Sequence, residues 1–271
     1  MRLKEFFPIS SECDPVKPLH RPPASQQIYK STIPSRYHGF AVEQYFASRF
    51  TYQTREAWTA QVLNGDILLN GKKAQPGCIL YEGDSIITHA GMRQEPPADC
   101  RLQVIYQDRH IRVFNKPAPI PVHPSGRYFQ NSMTEVLREM FPGEVPRPVH
   151  RLDATTTGLI VFALSRQAAG FILKEFKGHR IQKEYLALVK GKPEKKQFTL
   201  TAPIGVVAGA KRGVGEKILK PQAASTRVEW LASTDTHSIL KVTPLSGRTN
   251  QIRVHLSSQG LPILNDEVYG E

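Results

Sequence analysis

Residues 150–165 read "HRLDATTTGLIVFALS". One carboxylate, Asp153, stands behind a His-Arg pair and ahead of three threonines and a glycine; the chain is then apolar without a break from Leu159 to Leu164. A short continuous apolar run bounded by turn residues is the signature of a buried strand. The polar segment in front of it must then be a loop that dives into a core. Arg151 and Asp153 are two apart and share a side in an extended segment. An acid at such a junction is partly desolvated, so its charge state and nucleophilicity are tunable. The same residue could equally be a salt-bridged or capping aspartate in a tight turn. From this segment alone, both readings stand.

Outward from this stretch, strand and helix patterns alternate irregularly. Downstream, "SRQAAGFILKEFKGHR" (165–180) puts Ala168, Ile172 and Phe176 on one face of a helix. "KEYLALVKG" (183–191), "FTLTAPI" (198–204), "STRVEWLAS" (225–233) and "HSILKVTPL" (237–245) predict strands, and "TNQIRVHLSSQG" (249–260) a helix ending near Gly260. Upstream, "LQVIYQDRHIRVFNKP" (102–117) predicts a hairpin, and "SMTEVLREMF" (132–141) a helix. Strands outnumber helices without strict βαβ alternation. The fold class that follows is α+β, with a mixed, largely antiparallel central sheet and flanking helices.

In front of this body (102–271), the sequence divides further. Residues 1–35 are Pro-, Ser- and base-rich without periodicity, an irregular arm. Residues 36–92 predict a small α/β module. Its first helix carries Val42, Tyr45, Phe46 and Phe50, its second Ala57, Ala60, Val62 and Leu63; a hairpin over Asn70-Gly71 and a strand follow. Residues 91–101 have the composition of a linker.

The 36 Lys+Arg against 24 Asp+Glu give +12, which suits a polyanionic partner, because neutralised phosphates release counterions. Three scattered cysteines (Cys13, Cys78, Cys100) argue against a disulfide framework or zinc site and for a reducing, cytoplasmic compartment. No apolar run is long enough to span a membrane, and nine histidines without HxH or HxxxH spacing offer no metal site.

Further candidates lie far along the chain. Lys183 and Tyr185 occupy alternate strand positions and so share a face. A tyrosine there can stack on a base or fill half-buried core. Arg253 could pair with Asp153 and hold it ionised, or serve as a surface charge or phosphate contact. Arg248, Asn250 and His255 lie beside it in sequence. His123 and His150 read as structural hydrogen bonders near the presumed pocket. "AKRGVGEKILKPQ" (210–222) reads as a solvated basic loop or an RNA-touching one.

"HRLDATTTG", "KEYLALVKG" and "SGRTNQIRVHLSSQGLPILNDEVYG", in this order, resemble the three signature segments of the RluA-type pseudouridine synthases; "VIYQDRHIRVFNKPAPIPVHPSG" resembles that family's opening hairpin, including Lys116-Pro117. The front module more loosely resembles an S-four-type RNA-binding domain. The resemblance implies a catalytic domain that isomerises uridine within rRNA or tRNA, with no metal or other cofactor. Specificity is then expected from the arm, the module and the basic loops reading RNA shape. The resemblance implies Asp153 as the catalytic aspartate, Tyr185 as the tyrosine against the base and Arg253 as the arginine paired to the acid. Arg151 would fill the gap left by the extruded uridine, with His150, Thr157, Lys183 and Lys116 completing the substrate site. A monomer is expected. Thr157 stands where serine is usual, Asn250 where histidine is common and Asn265 where glycine is common. The family usually continues past the position of Glu271, so a further terminal strand is expected there. Two other readings compete: a non-catalytic RNA-binding or RNA-assembly protein, and a glycosidase-like enzyme, for which a second carboxylate is needed.

Overall fold

The computed structural model describes residues 19–50, 53–209 and 211–270. The chain folds as two compact units, residues 20–100 with 123–136 and residues 101–122 with 137–271.

In the first unit, β1 (Ser25–Thr32), α1 (Val42–Arg49), α2 (Arg55–Leu63), β2 (Ile67–Leu69), β3 (Lys72–Lys73) and β4 (Ser85–Arg93) build a sheet of order β1-β4-β2-β3, with antiparallel pairing throughout. Its core gathers Val42, Tyr45 and Phe46 from α1 and Trp58 and Val62 from α2. The α1 face is thus the expected one. The α2 face is rotated: Ala57, Ala60 and Leu63 are exposed, and Trp58 is buried in their stead. An indole removes far more apolar area from water than two alanines, and that decides which side turns in. Residues 25–32, expected to belong to an irregular arm, instead form β1; the polar character of this strand hid its ladder from the sequence. The 91–101 segment also departs from its linker composition. Glu95 is buried and accepts backbone N–H bonds from Phe129, Gln130 and Asn131 at 2.8, 2.8 and 2.9 Å.

The second unit begins with the expected hairpin, β5 (Gln103–Gln107) and β6 (Ile111–Lys116). After α3 (Met133–Met140), inside which the division of the chain falls, come β7 (Arg147–Pro148), β8 (Gly158–Ala163), α4 (Arg166–Lys177), β9 (Tyr185–Lys190) and β10 (Gln197–Leu200). Then follow β11 (Ile204–Ala208), β12 (Lys211–Gly213), β13 (Leu219–Gln222), β14 (Thr226–Ser233), β15 (His237–Pro244) and α5 (Gln251–Ser257). Every pairing is antiparallel. Two four-stranded sheets result, β5-β6-β8-β7 and β10-β14-β15-β9, with a three-stranded sheet β12-β11-β13; residues 210–222, read from sequence as a basic loop, supply two of its strands. The apolar run after Asp153 is the inner strand β8, with Ile160 and Phe162 buried. Ala187, Val189, Val228, Leu240 and Val242 pack beneath Leu256 of α5. Beyond α5 the chain returns to β9 through a bridge between Val189 and Ile263, and this leads its last residues back toward the helix.

Candidate active site

Every element that builds the site belongs to the second unit. Register sets Gly158, the first residue of β8, opposite Lys116, the last of β6. The loop carrying Asp153 enters β8 through Gly158 at φ +125°, a backbone region that side chains disfavour. Within the loop, the Asp153 carbonyl accepts the Thr156 N–H at 3.1 Å and closes a turn. The next carbonyl, that of Ala154, receives both the Ile120 N–H at 3.0 Å and the Lys116 ammonium at 3.1 Å. Lys116 is 0% exposed and also donates to the Pro117 carbonyl at 2.8 Å. Burial lowers its pKa to about 8, against the pull of the Asp153 charge. Lys116 was expected to touch substrate. Full burial corrects this: its ammonium clamps the loop one residue from the acid.

Arg253 arrives from α5, whose orientation rests on buried polar anchors. The Gln251 amide donates to the Ser225 carbonyl and the Thr226 hydroxyl, both at 2.9 Å. His255 bonds Thr226 Oγ1 at 2.8 Å and the Ala202 carbonyl at 2.9 Å, which makes it structural. Arg253 Nη1 donates to Asp153 Oδ2 at 3.1 Å. Its stronger hold is elsewhere: Nε and Nη2 both meet the Asp266 carboxylate at 2.7 Å in a two-pronged pair. The Asp266 bonds, outweighing desolvation, raise the arginine's pKa further. Burial opposes ionisation of Asp266, but the Arg253 bond and the Val268 and Tyr269 amides prevail and lower its pKa. The guanidinium also lies 4.9 Å from the Tyr269 ring centre, and the Tyr269 hydroxyl accepts from Asn250 Nδ2 at 3.0 Å. Asp266 and Tyr269 escaped the sequence reading. Their signal was the spacing within "NDEVYG", which places an acid and an aromatic three apart after a helix that carries an arginine.

The remaining candidates separate into two groups. Tyr185 is half-buried at the start of β9; burial first, and the Asp153 charge second, raise its hydroxyl pKa. Lys183, whose pKa burial lowers, donates to the Ser246 carbonyl at 3.4 Å. Arg151 and Thr157 are exposed on the same loop as Asp153. His150 turns the other way: its Nε2 accepts the Val161 N–H at 3.1 Å and its ring lies 5.1 Å from that of Phe176. Burial, reinforced by the Lys183 charge, lowers its pKa to about 4. The resemblance placed His150 at the substrate, but the structure gives it the role its residue reading gave, a structural hydrogen bonder that docks the loop on β8 as a neutral acceptor.

One carboxylate therefore stays within reach of solvent, the Asp153 side chain being 24% exposed, while Asp266 at 4% is sealed against Arg253. Among the described residues around the site, no second exposed carboxylate faces Asp153 as glycoside hydrolysis requires, since Asp266 is bound up with Arg253. Among the described residues, no group of three His, Cys, Asp or Glu side chains is placed to hold a metal, and no helix is long and apolar enough to cross a membrane.

The profile of the RNA pseudouridylate synthase family matches residues 110–258. The mitochondrial tRNA pseudouridine(32) synthase of Saccharomyces cerevisiae is 33% identical over 94% of this chain and 54% of its own length. RNA pseudouridine synthase 7 of Arabidopsis thaliana is 30% identical over 88% of the chain and 62% of its own length. The chain thus spans about half the length of the curated relatives it matches. The solved structure of human RNA Pseudouridylate Synthase Domain Containing 1 superposes with a TM-score of 0.56 at 30% identity, covering 65% of this chain and 73% of that one. The matched residues span β6 to α5, and with them Asp153, Tyr185 and Arg253: the chain belongs to the RNA pseudouridylate synthase family.

Proposed function

We propose that this protein is an RNA pseudouridine synthase, acting on uridines already in rRNA or tRNA. The observation that carries the reading is a single solvent-reaching carboxylate, Asp153, fixed by Arg253 beside Tyr185. The reaction breaks the bond between N1 and the ribose, rotates the uracil and joins its C5 to the ribose; the C5 proton leaves and N1 gains one. Nothing is oxidised and no water is added, so one acid acting on the ribose suffices. Tyr185 faces the base. Arg151, exposed next to the acid, fills the space vacated by the extruded nucleotide and offsets part of an unstacking cost of a few kcal/mol, roughly. The first unit is assigned to RNA binding, a reading supported by its helix-helix-hairpin order.

RNA labelled with tritium at uracil C5 tests this. The wild type releases tritium to water, and Asp153→Asn lowers that release by at least about a thousandfold with an unchanged melting temperature. Normal release by the variant would remove Asp153 from the chemistry.

A further inference from the structure

The small sheet β12-β11-β13 takes no part in the chemistry above, yet it is bonded to the site. The Arg212 N–H donates to the Tyr269 hydroxyl at 3.0 Å, Tyr269 lies against Arg253, and Arg253 holds Asp153. Ile204 of β11 and Val254 of α5 share a small core with Tyr269. At the adjoining loop, Arg248 Nε donates to the Ala223 carbonyl at 2.9 Å. This sheet is thus continuous with the mouth of the site.

Its charge is one-sided. Between Ile204 and Gln222 stand Lys211, Arg212, Lys217 and Lys220 against Glu216 alone. Lys211, Lys217 and Lys220 are exposed and form no ion pair among the described residues. Some cations elsewhere do find acids, as Lys241 finds Glu184 at 2.8 Å and Arg180 finds Glu175 at 2.6 Å, while others, such as the exposed Lys174, Lys177 and Lys195, find none among the described residues; what sets this sheet apart is its bonded connection to the site. Unpaired lysines beside a site that admits a polyanion repel one another in the free protein, and a phosphate relieves that repulsion.

We propose that this sheet is a backbone-binding surface of the site, its three lysines taking the phosphates that flank the extruded uridine. The assignment rests on the RNA-modifying reading above, and the occupant it commits to is the RNA phosphodiester chain. Contacts of this kind hold and orient the strand without reading its sequence.

The test compares two triple variants of the full chain, Lys211→Gln/Lys217→Gln/Lys220→Gln and the control Lys174→Gln/Lys177→Gln/Lys195→Gln, which removes equal charge from exposed positions elsewhere. Binding of a labelled mixed tRNA pool is followed against salt. The sheet variant loses at least tenfold in affinity at low salt, and its log–log salt slope becomes shallower by about 2, near 0.7 per phosphate released. The control shifts the slope by less than half as much. A wild-type slope in the sheet variant, or an equal loss in the control, overturns the proposal. Because binding is read without turnover, a wild type that binds but releases no tritium would refute the isomerase reading and leave this one decided by the slopes. A third variant, Lys217→Glu, guards against a folding defect: it should weaken binding without lowering the melting temperature, and unchanged binding would contradict the assignment.

Discussion

At Arg253, two acids compete for one guanidinium, and the geometry favours Asp266, the one sealed from solvent. Asp266 takes two bonds at 2.7 Å, leaving a single longer one for Asp153. This arrangement orients the cation and leaves Asp153 held by one bond and within reach of solvent. Asp266→Asn should therefore lower kcat by about 10–100-fold, the value of a charge-assisted bond of roughly 1.5–3 kcal/mol, with little change in KM. A KM increase at constant kcat would mean that Asp266 serves binding instead. The stability that Asp266 gains from ionisation is present above the unfolded carboxylate pKa and lost as pH falls through its lowered folded value.

His150 gives a second residue-scale prediction. Its folded pKa, about 4, lies below the unfolded value of 6.5, so the unfolded chain takes up a proton first as pH falls. Its contribution is complete above pH 6.5 and is lost between there and pH 4, on the order of 3 kcal/mol in all. NMR titration, with the ring assigned through His150→Gln, should find a neutral imidazole at pH 5. A midpoint near 6.5 would contradict the buried acceptor role. The pairing of Arg253 with Asp153 was legible because both sit in ordered motifs. Lys116 was misplaced because burial is a property of neighbours, and nothing in "FNKP" announces that its lysine turns inward.

At the scale of elements, what the sequence showed well was apolar. β8, β9, β14 and β15 each bury branched or aromatic side chains, and α4 presents the Ala168, Ile172 and Phe176 face expected of it. What it hid was polar: β1, β12 and β13 are built largely of polar residues, and their ladders depend on partners that no local pattern reveals. The joint between loop and β8 is the element most exposed to mutation. Gly158→Ala imposes a side chain at φ +125° in open space, so the cost is backbone strain alone, of order 1–3 kcal/mol. The melting temperature should fall by several degrees and the activity with it, since the same joint aims Asp153. An unchanged melting temperature would show that the loop relaxes freely, contrary to the clamp by Lys116 and Ile120.

For the whole molecule, the α+β class followed from strands outnumbering helices, and the strand pairs are indeed antiparallel. Their partition into separate sheets was not legible, because it depends on which strand edges meet and not on any strand's own pattern. The charge of +12 pointed to a polyanion, and part of that charge stands on the small sheet that is bonded to the site through Tyr269. The central claim is that this acid moves a base within RNA and does not remove it. Digesting the RNA to nucleosides after incubation with the protein measures this directly. The account predicts that pseudouridine appears in an amount equal to the uridine lost, with no free uracil. Free uracil, or uridine left intact under conditions where the RNA is bound, would contradict it.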